Sequence, residues 1–123
     1  MEQTINKTMV TRAVISNFKE DKIPKTIRAK HLKGFDTPEK VSKEGEDSGY
    51  IPDIEAVFDD ETIIYEIELD KTMLVEKWEL LSSYARDKNG NLYLVVPDYL
   101  KDTIVKEIKD KDVNAGIVYF NTK

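Results

Sequence analysis

Cysteine is absent from this chain of 123 residues, which excludes disulfides, thiolate metal sites and cysteine nucleophiles and fits a reducing compartment. A single histidine argues against the common zinc sites. No charge-free apolar stretch approaches the roughly 20 residues that a membrane span needs, and the polar start, Met1-Glu2-Gln3-Thr4, is not a secretory signal. Internal repeats and low-complexity tracts are also missing. These absences lead to the expectation of one cytoplasmic domain over residues 1–123 with no membrane partner, long enough to bury a single core.

What is present is charge, unevenly placed. The net charge is −5, which argues mildly against a general nucleic-acid coat protein. Residues 1–33 hold eight Lys/Arg and three Asp/Glu, net +5, whereas the remaining 90 are net −10. A basic amino-terminal third beside an acidic centre can set a phosphate backbone next to a cation site, with Arg12, Lys25, Arg28, Lys30 and Lys33 as the contacting residues. Solvated helix and strand surfaces would give the same pattern.

Apolar periodicity sets out the elements. Thr4 can cap a helix to about Lys19, with Val10, Val14 and Phe18 at four-residue spacing and Ile5, Met9 and Ala13 beside them. Lys25 to Leu32 alternates as a first strand. Residues 34–50 are polar and Gly-rich and read as a long flexible loop delivering the chain to Pro52. Asp70 or Thr72 begins a helix with Leu74, Trp78, Leu81 and Ala85 facing the core and Lys77 and Tyr84 bordering that stripe. After the Asn89-Gly90-Asn91 turn, Leu92 to Val96 reads as a strand buried on both faces. Pro97-Asp98 opens a helix with Leu100, Ile104, Val105 and Ile108 inward, and Ala115 to Phe120 is the last strand. The expected class is α/β, in the order αβββαβαβ.

Chemistry concentrates in residues 52–68. Asp53 and Glu55 share one face of a strand, and Glu66 and Glu68 share one face of the next. A two-residue turn at Asp60-Glu61 would pair Asp53 with Glu68 and Glu55 with Glu66, placing four carboxylates together. Each such anion pair repels by roughly 3 kcal/mol at about 5 Å and an effective dielectric near 20. The acids must then be solvated, protonated or neutralised by a bound cation.

Pro52-Asp53 followed by Glu66-Ile67-Glu68 resembles the PD-(D/E)xK nuclease superfamily, with Glu68 where lysine is usual. The resemblance extends to the order of elements over about residues 4–97. It implies a restriction-endonuclease-like core, a mixed central sheet flanked by helices, and a nuclease hydrolysing DNA phosphodiesters. It further implies Mg²⁺ or Mn²⁺ held by Asp53 and Glu66 with the Ile67 carbonyl as a further ligand. The missing lysine leaves three readings: Glu68 is the general base, Lys77 on the following helix replaces the lysine, or the site has decayed into a DNA-binding or protein-binding module. Superfamily members of this size often work as homodimers, so a homodimer is compatible with the resemblance. A closer literal match, Pro97-Asp98 with Glu107-Ile108-Lys109, is rejected because Asp98 reads as a helix cap and residues two apart on a helix point about 200° apart. His31, Trp78 and Tyr84 read as structural. The first helix lacks an interior acid, leaving only Glu2 and Glu20 near its ends.

Overall fold

The computed structural model describes residues 5–18 and 22–122. Among them the chain forms three α-helices and a five-stranded mixed sheet, an α/β architecture. The elements are α1 (Lys7–Ser16), β1 (Thr26–Ala29), β2 (Val41–Ser42), β3 (Gly49–Tyr50), β4 (Ile54–Val57), β5 (Thr62–Ile67), α2 (Val75–Asp87), β6 (Leu92–Pro97), α3 (Lys101–Asp110) and β7 (Gly116–Phe120). A 3₁₀ turn, Asp98–Leu100, leads into α3. The sheet order is β1-β4-β5-β6-β7, antiparallel from β1 to β5 and parallel from β5 to β7. No helix among the described residues is long and apolar enough to cross a membrane.

Two cores follow from the alternation of side chains. Ile64, Leu92, Leu94 and Val96 face α2 and α3, where Trp78, Leu81, Ala85, Ile104 and Ile108 meet them. On the opposite face Ile54, Ile67 and Val95 pack against Val10 of α1. β6 contributes to both, which explains its unbroken apolar run: it is central and parallel to both neighbours. Gly90 closes the α2–β6 turn against β5, where a Cβ would lie 1.6 Å from the Thr62 carbonyl oxygen.

Several boundaries differ from the sequence reading. Asn6 caps α1, its side chain accepting the Met9 N–H at 2.9 Å, whereas Thr4 and Lys19 lie outside the described residues. Met9 and Ala13 are exposed and not part of the core-facing stripe. Residues 34–50 are not a plain loop: β2 and β3 pair as a small hairpin, and Val41 enters the α2 core. Pro38 is also buried, and Phe35 and Tyr50 are half-buried, so the segment is seated by its few apolar residues. α2 starts at Val75, because Asp70 instead accepts the Thr72 N–H at 2.8 Å in a local turn, and Leu74 is left 42% exposed. Asp98 opens the 3₁₀ turn ahead of α3, and its side chain accepts the Thr122 hydroxyl at 2.8 Å.

The hairpin register also differs. Phe58 N–H donates to the Glu61 carbonyl at 2.8 Å, so the turn residues are Asp59 and Asp60, one position earlier than expected. Ile54 therefore faces Tyr65 and Glu55 faces Ile64. The register moves by two residues, which preserves the faces while changing every partner.

Candidate functional site

Asp53, Glu55, Glu66 and Glu68 occupy the α2 side of the β4–β5 hairpin, and all four are buried, at 1, 4, 2 and 8% exposure. With the observed register Asp53 lies beside Glu66, and the two are laced together through the backbone. The Asp53 N–H donates to Glu66 Oε1 at 2.8 Å, and the Ile67 N–H donates to Asp53 Oδ2 at 2.8 Å. Ile67 thus meets the site through its amide. Sequence reasoning expected the acids to be solvated, protonated or bound to a foreign cation; the fold supplies cations of its own.

Lys77, from the first turns of α2, reaches Glu66 Oε2 at 2.8 Å and Glu68 Oε2 at 3.0 Å. Its ammonium is buried, and its position on the border of the apolar stripe aims it at the hairpin. Glu68 Oε2 also accepts the Trp78 indole N–H at 2.5 Å, so the core tryptophan carries a polar duty that its apolar spacing does not reveal. Lys7, at the start of α1, contacts both oxygens of Asp53 at 3.0 and 3.2 Å. His31 Nε2 lies 2.8 Å from Asp53 Oδ1.

Glu55 stands apart from this centre. Arg28 Nη1 donates to its Oε1 at 2.7 Å and the Tyr84 hydroxyl to its Oε2 at 2.8 Å. Arg28 and Glu55 are cross-strand partners; Arg28, expected to touch phosphate, is held against Glu55 while its side chain stays 38% exposed. Arg12, Lys30 and Lys33 are exposed, and Lys25 pairs with Asp59 at 3.5 Å on the surface.

The electrostatics divide the two central carboxylates. Burial pushes the Asp53 carboxyl up, but the Ile67 N–H, Lys7 and His31 together outweigh it and hold the group below the ordinary carboxylate value. Glu66 is pushed up to about 7, by burial first and then by the negative charge of Asp53, despite Lys77. Burial depresses Lys77, yet the facing Glu66 and Glu68 carry it above the usual lysine value. Tyr84 rises to about 12 through burial and its bond to Glu55.

Lys7 was not singled out by sequence, and His31 was read as structural, whereas both meet Asp53. Both lie far along the chain from Asp53, and neither has an acid at a spacing that would mark it. Glu2 and Glu20 lie outside the described residues. Among the described residues no three Asp, Glu, His or Cys side chains form a ready metal-binding group. Compared with known proteins, the chain matches no protein-family model, no curated protein and no solved structure.

Proposed function

We propose that this protein is a metal-dependent nuclease hydrolysing DNA phosphodiester bonds, with Asp53 and Glu66 as cation ligands and Lys77 in the role of the missing strand lysine. The observation that carries the reading is the meeting of Asp53, Glu66 and Lys77 from three elements in one buried centre. The order of elements supports a restriction-endonuclease-like core once the β2–β3 hairpin is set aside as an insertion.

The donor chemistry suits a hard divalent ion. Magnesium commonly takes one or two protein carboxylates and completes its shell with water and phosphate, so a two-carboxylate centre is enough. Glu66 resists ionisation near neutral pH because it is buried and then because it faces the charge of Asp53, despite Lys77; a divalent ion beside it would favour the ionised form. Among the described residues each Glu66 oxygen has a single donor and retains acceptor capacity. Asp53 is more fully engaged, so Lys7, whose side chain is 35% exposed, has to turn outward. The chemistry such an ion supplies is polarisation of the phosphoryl oxygen and a lowered pKa for the water beside it. Lys77, fixed by Glu66 and Glu68, orients the attacking water; Ile67 offers its carbonyl as a further ligand. Glu68, tied to Lys77 and Trp78, serves as a positioning residue. Lys25, Lys30, Lys33 and Arg12 contact the backbone of the substrate.

Incubation with supercoiled, linear and branched DNA plus Mg²⁺ or Mn²⁺ tests this. Cleavage should require metal and fall by about a hundredfold or more in Asp53→Asn and in Glu66→Gln. No cleavage of any substrate, or cleavage surviving in both variants, overturns it. A second reading, a degenerate nuclease-fold module, is favoured by one observation: each of the four acids already has one of the protein's own cations beside it, Lys77 serving both Glu66 and Glu68. Salt-dependent DNA binding without cleavage would decide for that reading.

A further inference from the structure

Two lysines reach the carboxylate centre, and they are held differently. Lys77 sits on Glu66 and Glu68 with its side chain only 9% exposed, on the buried side of α2. Lys7 lies across both oxygens of Asp53, 3.2 Å from Oδ1 and 3.0 Å from Oδ2, and its side chain is 35% exposed. One cation shared by the two oxygens of a single carboxylate stands where a chelated ion would stand. The other partners of Asp53 have little freedom: the Ile67 N–H on Oδ2 is fixed in β5, and the imidazole on Oδ1 hangs from the short side chain of His31. Lys7 is the partner on a long flexible stem that already reaches the surface.

We infer that Lys7 gates the proposed cation site: its ammonium holds Asp53 in the unloaded protein and swings outward when a divalent ion enters, so Lys7 sets how tightly that ion binds. The inference rests on the hydrolytic reading, because it takes Asp53 and Glu66 as the ligands. Acceptor capacity supports it. Among the described residues, Asp53 Oδ1 meets Lys7 and His31, and Oδ2 meets Lys7 and the Ile67 N–H, which engages both lone pairs of each oxygen. With Lys7 turned out, each oxygen keeps one partner and one open lone pair. That is already the state of both Glu66 oxygens, so a single movement opens the whole donor set.

The helix that carries Lys7 has other anchors. Asn6 caps α1 by accepting the Met9 N–H at 2.9 Å, and Val10 packs it onto Ile54, Ile67 and Val95. A cation in the first turn opposes the helix dipole, and the first turn of α1 contains no acid to offset Lys7. The helix thus gains nothing of its own from this lysine, whose position is accounted for by Asp53. A ligand that binds only an open form has its affinity reduced by the fraction of molecules that are open. With Lys7 on Asp53 in about nine molecules of ten, the reduction is about tenfold.

Two measurements without DNA test the inference. In calorimetric titration with Mn²⁺, Lys7→Met should bind the ion about tenfold or more tightly than the wild type, and Asp53→Asn should abolish binding in either background. In limited acetylation read residue by residue by mass spectrometry, saturating Mn²⁺ should speed the labelling of Lys7 in the wild type. Lys22, paired with Glu61 at the other end of β5, should be unaffected. The labelling uses the unaltered protein, so it decides the matter even where Lys7→Met fails to fold. Equal or weaker Mn²⁺ binding by Lys7→Met overturns the inference and leaves the hydrolytic reading standing. So does tighter binding with Lys7 labelling that ignores bound Mn²⁺, the result expected of a lysine that merely repels the ion. Mn²⁺ binding to neither protein, or binding that survives Asp53→Asn, overturns both.

Discussion

Replacing Lys77 by methionine removes an ammonium lying 2.8 Å from Glu66 and 3.0 Å from Glu68 while keeping most of the buried stem. At an effective dielectric near 20 each contact is worth about 6 kcal/mol of attraction, most of it offset by the desolvation of all three groups. Breaking such a buried set by deleting one partner costs about 3 to 5 kcal/mol. The cost should depend on pH in a defined direction. Glu66 titrates near 7 in the folded protein against an ordinary value of 4.5. Between those values the folded chain holds more protons than the unfolded one, so stability falls as pH rises through that window. Without the ammonium the folded value climbs further. The variant therefore goes on losing stability above pH 7, where the contribution of Glu66 in the wild type levels off, by up to about 1.4 kcal/mol per pH unit. Urea unfolding at pH 6, 7 and 8, followed by the fluorescence of Trp78, measures both effects. A variant matching the wild type at pH 8, or a pH profile parallel to it, refutes the buried ion-pair account.

Two further substitutions probe the network. Tyr84→Phe deletes the hydroxyl that donates to Glu55 at 2.8 Å and should cost about 1 to 2 kcal/mol in urea unfolding; no loss would mean that Arg28 alone satisfies Glu55. Glu68→Gln leaves an acceptor for the indole but removes an anion from Lys77. It should shift the emission of the sole tryptophan and lower stability by about 1 to 3 kcal/mol. An unchanged spectrum with unchanged stability would show that the charge of Glu68 is felt by neither Trp78 nor Lys77.

The acidic hairpin was legible because strand parity depends only on alternation. Asp53, Glu55, Glu66 and Glu68 keep a common side even though the turn falls at Asp59-Asp60 and not at Asp60-Glu61. Exact partners were not legible, since several acidic residues in a row offer the turn more than one seat. Lys77 was found from its border position on α2, where helix periodicity aims a side chain at the neighbouring sheet. The hairpin inside residues 34–50 was missed because its strands are two residues each, below the length at which alternation carries a signal.

Local pattern, then, determined the α/β class and one side of one hairpin as the place where acids collect, since periodicities of two and 3.6 are properties of the chain itself. Only the folded arrangement decided that Lys7 and His31 close on Asp53 and that Arg28 is paired with Glu55. Those contacts join residues 22 to 46 positions apart, and charge at such separations becomes neighbouring charge only when packing brings the elements together.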